Sequence, residues 1–145
     1  MDLLSWAVGL LDGEGCLLVT VRKRSKYAIP HHFPDLSIQM TASDVKALDL
    51  LEQVIGIKGY RLQRRPSPRI WNTRDTVELH WHSIEQLTAL KEFFGKVSFQ
   101  TPKKKREFVP WMRAVNLYLR ERDVAKREVR MIRYRDAIRS ARHAY

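Results

Sequence analysis

The sequence predicts an α+β fold built on one four-stranded antiparallel sheet, and three observations predict it. Four short segments alternate apolar and polar residues with the period of two that marks half-buried strands. Longer segments between and after them carry apolar residues at helical spacing, bounded by capping and stop residues. The resulting order is helix, strand, strand, helix, strand, strand, helix, helix and a helical tail, with no visible internal repeat. At 145 residues, 44% of them hydrophobic, the chain is long enough for a real core of its own.

The first helix is expected from Leu3 to Gly13, with Asp2 as N-cap and Gly15 taking a left-handed backbone at its end. "CLLVTVRKR" (16–24) is a strand with Leu17, Val19 and Val21 on one face and Leu18, Thr20, Arg22 and Arg24 on the other. "SKYAIPHHFP" (25–34) reads as a loop marked by Pro30 and Pro34, with His31 and His32 inside it. "DLSIQMT" (35–41) is the second strand, with Leu36, Ile38 and Met40 opposite Ser37, Gln39 and Thr41. Ser43 caps a helix over 44–56 that Gly56 stops. "GYRLQRR" (59–65) is the third strand, read with Tyr60 and Leu62 inward and Arg61, Gln63 and Arg65 outward. "PSPRIWNTRD" (66–75) is a long basic hairpin tip. "TVELHWH" (76–82) is the fourth strand, with Val77, Leu79 and Trp81 inward and Thr76, Glu78, His80 and His82 outward.

Ser83 and Gln86 form a capping box at the start of the next helix, and Gly95 ends it. Thr101 and Pro102 open another as N-cap and first helical residue, and Pro110 is expected to kink or restart it. From Arg120 onward the chain reads as a charged helix with nine basic and four acidic residues. Met131, Tyr134 and Ile138 recur there at helical spacing, which favours docking over a solvated arm. The expected organisation is a main domain over 1–121 and a basic helical extension over 122–145.

Charge narrows the function. There are 27 Lys and Arg against 16 Asp and Glu, a net charge of +11. That balance calls for a polyanion, nucleic acid before anionic membrane. Cys16 is alone, which excludes an internal disulfide and a cysteine-based zinc site. No apolar run approaches the roughly 18 residues of a membrane span. The N-terminus also lacks the basic start of a signal peptide, so a soluble, intracellular protein is expected, its compartment open. The polar strand faces are rich in Arg, Gln, Glu and His rather than Lys. A two-stranded ribbon fits a DNA major groove, where Arg reads guanine and Gln reads adenine. His80 and His82 share a strand face, but two histidines without a third ligand are a poor metal site.

"WAVGLLDGEG" (6–15) is the most informative stretch. A helix C-terminus carries partial negative charge, so Asp12 and Glu14 stand where acid is electrostatically unfavourable. Gly9 and Gly13 lie four apart on one helix face, where each costs about 1 kcal/mol relative to Ala. A tightly packed helix pair gives them a purpose. In a symmetric pair two Glu14 side chains meet at its base and repel unless a hard cation such as Mg²⁺ lies between them. An EF-hand does not fit, because its alternating oxygen ligands and terminal Glu are missing.

"AVGLLDGEG" (7–15) resembles the LAGLIDADG motif of homing endonucleases: Gly9, Leu10, Asp12 and Gly15 match it letter for letter, and Leu11 and Glu14 are conservative replacements. "LSIQMTASDVKALDLLEQVIG" resembles that family's second strand and following helix, and "TPKKKREFVPWMRAV" its late basic segment. Ala42 stands where the family often has a polar side chain, with Thr41 and Ser43 beside it. The resemblance implies the αββαββα homing-endonuclease saddle with its sheet in the major groove, and C-terminal helices added. One motif per chain implies a homodimer, with Gly9, Gly13, Ala7 and Leu10 at the interface. It implies Mg²⁺-dependent hydrolysis of both strands of a long pseudo-palindromic duplex site, leaving 3′ overhangs. Glu14 then corresponds to the metal-binding acid, Gly13 to a residue whose carbonyl helps hold the metal, and Asp12 to a structural acid. Lys104 corresponds best to the active-site lysine, with Lys103 and Lys105 as alternatives. DNA contacts fall to Arg22, Arg24, Gln39, Arg61, Gln63, Arg65, Glu78 and His80, with Arg69 and Arg74 at the hairpin tip. A competing reading on the same scaffold is binding without cutting: an RNA-binding intron maturase or a DNA-binding regulator.

Overall fold

The computed structural model describes residues 2–23, 25, 29–64 and 75–143. Helix α1 spans Leu3–Glu14, and Asp2 caps it by accepting the amides of Leu4 and Ser5. Strand β1 follows at once over Gly15–Arg22. Gly15 is extended, with φ −78° and ψ 149°, so the expected left-handed cap is absent. Glycine is required there because the turn is tight: a Cβ would lie 2.6 Å from the Leu11 carbonyl oxygen.

Strand β2 spans His31–Thr41, four residues longer at its start than the alternation predicts. His31 to Pro34 belong to the strand rather than to a loop. Proline is tolerated because Pro34 pairs with Val19 on one side only; the neighbour on the other side, β4, joins β2 from Leu36 onward. A 3₁₀ turn over Ala42–Asp44 then leads into α2 (Val45–Ile55). Asp44, not Ser43, holds the N-cap position, and the Ser43 hydroxyl meets that of Thr41 at 3.2 Å instead. Gly56 ends α2 in the left-handed region, φ +96°, as a glycine stop should.

Strands β3 (Tyr60–Arg64) and β4 (Thr76–Trp81) complete an antiparallel sheet of order β1-β2-β4-β3. The register corrects the reading of β3. Arg61 sits opposite Leu79 and Gln63 opposite Val77, on the core side, while Leu62 faces Glu78 and Tyr60 faces His80 on the outer side. A one-residue shift exchanges the faces of a strand. The core thins out at this edge, and the acids of α2 take over: Arg61 pairs with Asp49 at 2.6 Å and with the buried Glu52.

Helix α3 (Ile84–Phe94) keeps its capping box, and α4 (Pro102–Arg120) starts on Thr101. Pro110 does not restart α4, which is helical without a break over its 19 residues. Glu107, Trp111, Ala114 and Val115 are buried on either side of the proline and hold the helix down. Helix α5 (Val124–Arg142) then folds back onto α4 and onto β1 and β2. Met131 and Ile138 enter the main core, and Tyr134 packs at its margin, as the helical spacing predicts. Two strand histidines fasten α5. Glu128 accepts the His32 amide at 2.8 Å and also meets the His32 ring, and Arg127 lies over the Tyr118 ring beside His31.

Leu17, Val19, Leu36, Ile38, Val77, Leu79 and Trp81 line the inner sheet face under the helices. Burying such side chains contributes roughly 1.5–3 kcal/mol each. Among the described residues, no helix is long and apolar enough to cross a membrane.

Candidate active site and nucleic-acid interface

The end of α1, the start of α4 and the last turn of α5 meet around one cleft. Asp12, Gly13, Glu14, Thr101, Lys104, Glu107 and Arg142 are among its walls. The two acids of the motif have different fates. Asp12 turns to the N-terminus of α4, accepting the amides of Gln100 at 2.7 Å and Thr101 at 3.1 Å and the Thr101 hydroxyl at 2.6 Å. Burial pushes the Asp12 carboxyl up, yet the Thr101 hydroxyl, the two amides and the Lys104 charge together hold it below its ordinary value. The positive end of one helix thus compensates an acid at the negative end of another. Glu14 is exposed at the cleft mouth and, among the described residues, has no hydrogen-bond or ion-pair partner.

The three lysines separate by position. Lys103 and Lys105 are exposed, while Lys104 is half-buried and donates its ammonium to the Gly15 carbonyl, one residue from Glu14. Glu107 stands behind Lys104, 3.9 Å away and only 2% exposed. Its other oxygen lies 3.4 Å from Arg142, which also donates to the Leu17 carbonyl at 3.1 Å. Sequence reasoning missed Glu107 and Arg142, because 35 residues separate them and neither lies in a recognisable pattern.

Along α1, Gly9 and Gly13 are exposed, and a Cβ at either would meet nothing within 4 Å inside one chain. Leu10 is half-buried, and Leu3 and Leu4 are exposed near the same helix's start. Ala7 is corrected: it is 0% exposed in the chain's own core and has no surface to offer a partner.

Glu14, an exposed carboxylate, and the neighbouring main-chain carbonyls are oxygen donors of the kind a hard divalent cation takes. They are fewer than it needs, and among the described residues no three Asp, Glu, His or Cys side chains converge on one point.

The outer sheet face continues from the cleft as a groove lined by Thr20, Ser37, Gln39, Thr76, Glu78 and His80, with Leu18 and Met40 among its apolar walls. The expected readers Gln39, Glu78 and His80 lie in it. Arg22 is exposed at the β1 end with its guanidinium 5.3 Å from the Phe33 ring centroid. Arg61 and Gln63 are not on this face, for the register reason above, and Arg64 takes the β3 position instead. Arg24, Arg65, Arg69 and Arg74 lie outside the described residues.

Several of these groups are already paired with each other. His80 bridges the buried Asp35 at 2.9 Å and Glu78 at 3.1 Å, and Glu78 pairs with Arg64 at 2.8 Å. The Asp35 hydrogen bond, against the opposing effect of burial and with help from Glu78, raises the His80 pKa to about 8. Both His80 ring nitrogens are therefore engaged by carboxylates, and His82 packs on Phe33 and Tyr60, which leaves no histidine metal pair.

The cleft at the end of α1 and the groove along the outer sheet face share Glu14 and Cys16 as lining residues. Residues 7–115 match the LAGLIDADG endonuclease family, and the chain belongs to that family. The homing endonuclease I-TnaI is similar at 25% identity, covering 93% of this chain and 84% of its own, with a TM-score of 0.69. I-CeuI, a group I intron-encoded homing endonuclease complexed with DNA, superposes with a TM-score of 0.73 at 18% identity, covering 94% of this chain and 66% of its own. I-SmaMI, bound to uncleaved DNA in the presence of calcium, gives 0.67 at 24% identity and covers 98% of this chain. This chain spans only 44% of I-SmaMI, and the last two likenesses concern the fold alone. No curated protein matches the chain.

Proposed function

We propose that two copies of this chain form a site-specific endonuclease that cuts both strands of a long, pseudo-palindromic DNA duplex and leaves 3′ overhangs. One observation carries the reading: an exposed, unpartnered Glu14 stands at the base of a helix whose glycines face open space, next to a half-buried lysine. Gly9, Gly13 and Leu10 would pack against the same residues of a second copy. That contact brings two Glu14 carboxylates together and supplies the missing oxygen ligands, with the Gly13 carbonyl beside them. A two-fold protein then reads a two-fold site.

A bound Mg²⁺ would supply a polarised water and charge neutralisation at the leaving oxygen. The protein's own contribution is positional. Glu14 holds the cation site, and the Lys104 ammonium stands one residue away to offset charge developing on the phosphate. Asp12 takes no part in the chemistry, because its oxygens are committed to α4. Arg22, Gln39, Arg64, Glu78 and His80, on the outer sheet face, are the base readers of this proposal.

The test is cleavage of a randomised duplex library with Mg²⁺, comparing wild type with Glu14→Gln. Defined pseudo-palindromic cuts that vanish in the variant are expected. Enrichment of bound duplex without cutting, unchanged in the variant, would replace this reading with a DNA-binding regulator. Indifference to duplex DNA together with binding of intron RNA would replace it with a maturase.

A further inference from the structure

We propose that Arg142, at the end of the C-terminal helix, is a positioning residue for Lys104 and acts through Glu107. The proposal rests on the endonuclease reading and extends it to a part of the chain beyond the family match, which ends at residue 115. Glu107 is 2% exposed, and a buried carboxylate persists only with cations or donors on its oxygens. The structure divides those oxygens between two cations. Oε2 lies 3.9 Å from the Lys104 ammonium, and Oε1 lies 3.4 Å from Arg142 Nε. Arg142 is itself anchored, since its guanidinium also donates to the Leu17 carbonyl at 3.1 Å.

The division matters for where Lys104 points. Its ammonium is hydrogen-bonded to the Gly15 carbonyl, on the Glu14 side of the cleft, and stands off from Glu107. Without Arg142, Glu107 would keep its buried negative charge beside the Lys104 ammonium with one of its two flanking cations removed. The electrostatic pull would then draw the ammonium onto Glu107, away from Gly15 and from the place a phosphate occupies. Arg142 offsets part of that charge and leaves Lys104 free to face the cleft. Helix α5 thereby completes the site, while its Met131 and Ile138 side chains and its Glu128–His32 contact hold it in place.

The experiment compares wild type, Arg142→Met and Arg142→Lys by three readouts at one pH. These are the single-turnover cutting rate at saturating protein with Mg²⁺, DNA affinity with Ca²⁺, and the acetylation rate of the Lys104 amine read by mass spectrometry. Arg142→Met is expected to slow cutting by about tenfold or more and to slow Lys104 acetylation several-fold, with affinity within about twofold of wild type. Arg142→Lys, which keeps the charge, should restore most of both rates. Wild-type cutting and acetylation in Arg142→Met would overturn the proposal. So would lost affinity with an unchanged saturated rate, which would make Arg142 a phosphate contact. If wild type cuts no DNA while Lys104 acetylation still follows Arg142, the coupling stands and the endonuclease reading is what fails.

Discussion

Replacing Asp12 with alanine tests the account of why an acid stands at the end of α1. The carboxylate accepts three hydrogen bonds, two from main-chain amides at the start of α4 and one from the Thr101 hydroxyl. The hydroxyl can turn to water, so its loss weighs little. Each amide at a helix N-terminus left without its acceptor costs about 1 kcal/mol, giving about 2 kcal/mol for Asp12→Ala. For a chain of this length that corresponds to a melting temperature lower by roughly 4–8 °C. Asp12→Asn keeps an acceptor but not the charge and should lose about half as much. Urea unfolding at pH 7 and one fixed protein concentration measures both, the concentration mattering because self-association would add to stability. The pH dependence gives a second check. The folded-state pKa of Asp12 lies below its ordinary 3.8, so the stabilisation is present above that value and is lost as pH falls through the folded pKa. The gap between wild type and Asp12→Asn should therefore narrow in acid. Equal urea midpoints for wild type and Asp12→Ala at pH 7 would refute the reasoning.

His80 gives a prediction of opposite sign. Its pKa is raised from 6.5 to about 8, so its pairing stabilises the fold fully below 6.5 and the contribution is lost as pH rises through about 8. An NMR titration should place its midpoint near 8, and His80→Gln should flatten the loss of stability across that window. Gly9→Ala and Gly13→Ala meet no obstacle within one chain, so each should gain roughly 0.5–1 kcal/mol of helix stability while weakening self-association. Analytical ultracentrifugation decides this, and sedimentation identical to wild type would remove α1 from the interface. Arg61→Ala should lower stability by about 0.5–1 kcal/mol through loss of the Asp49 and Glu52 pairs, with DNA selectivity retained. Arg64→Ala should do the reverse in a selection from randomised duplexes, and the opposite assignment would contradict the β3 register.

What was legible in the sequence was what local chemistry dictates. Asp2, Gly56, the Ser83–Gln86 box and the Thr101–Pro102 start are signals written within a few residues of the helix ends they control. The cleft position of Glu14 was legible because it lies in a short, recognisable run, whereas the run of lysines at 103–105 did not show that Lys104 is the one bonded to the Gly15 carbonyl in the cleft. The faces of β3 were not, since Tyr60 and Leu62 look like core residues until pairing with β4 fixes the register. Pro34 and Pro110 misled for the same reason: their tolerance depends on which neighbouring strand is absent and on which side chains clamp the helix. Glu107, Arg142 and Glu128 drew no notice because their partners are distant in sequence, and burial beside a complementary charge leaves no periodic trace.

The linked side chains of the outer sheet face bear on how such a protein could acquire a new target. Asp35, His80, Glu78 and Arg64 form one continuous relay across β2, β4 and β3, and Gln39 adds a hydrogen bond to Thr76 beside it. Altering any member changes the charge and orientation of the next; on the proposed reading, in which these side chains face DNA bases, letters of the target would not be rewritten one at a time. Retargeting would proceed in blocks, with the relay replaced as a set, and single substitutions would mostly blur recognition before a second change sharpened it again.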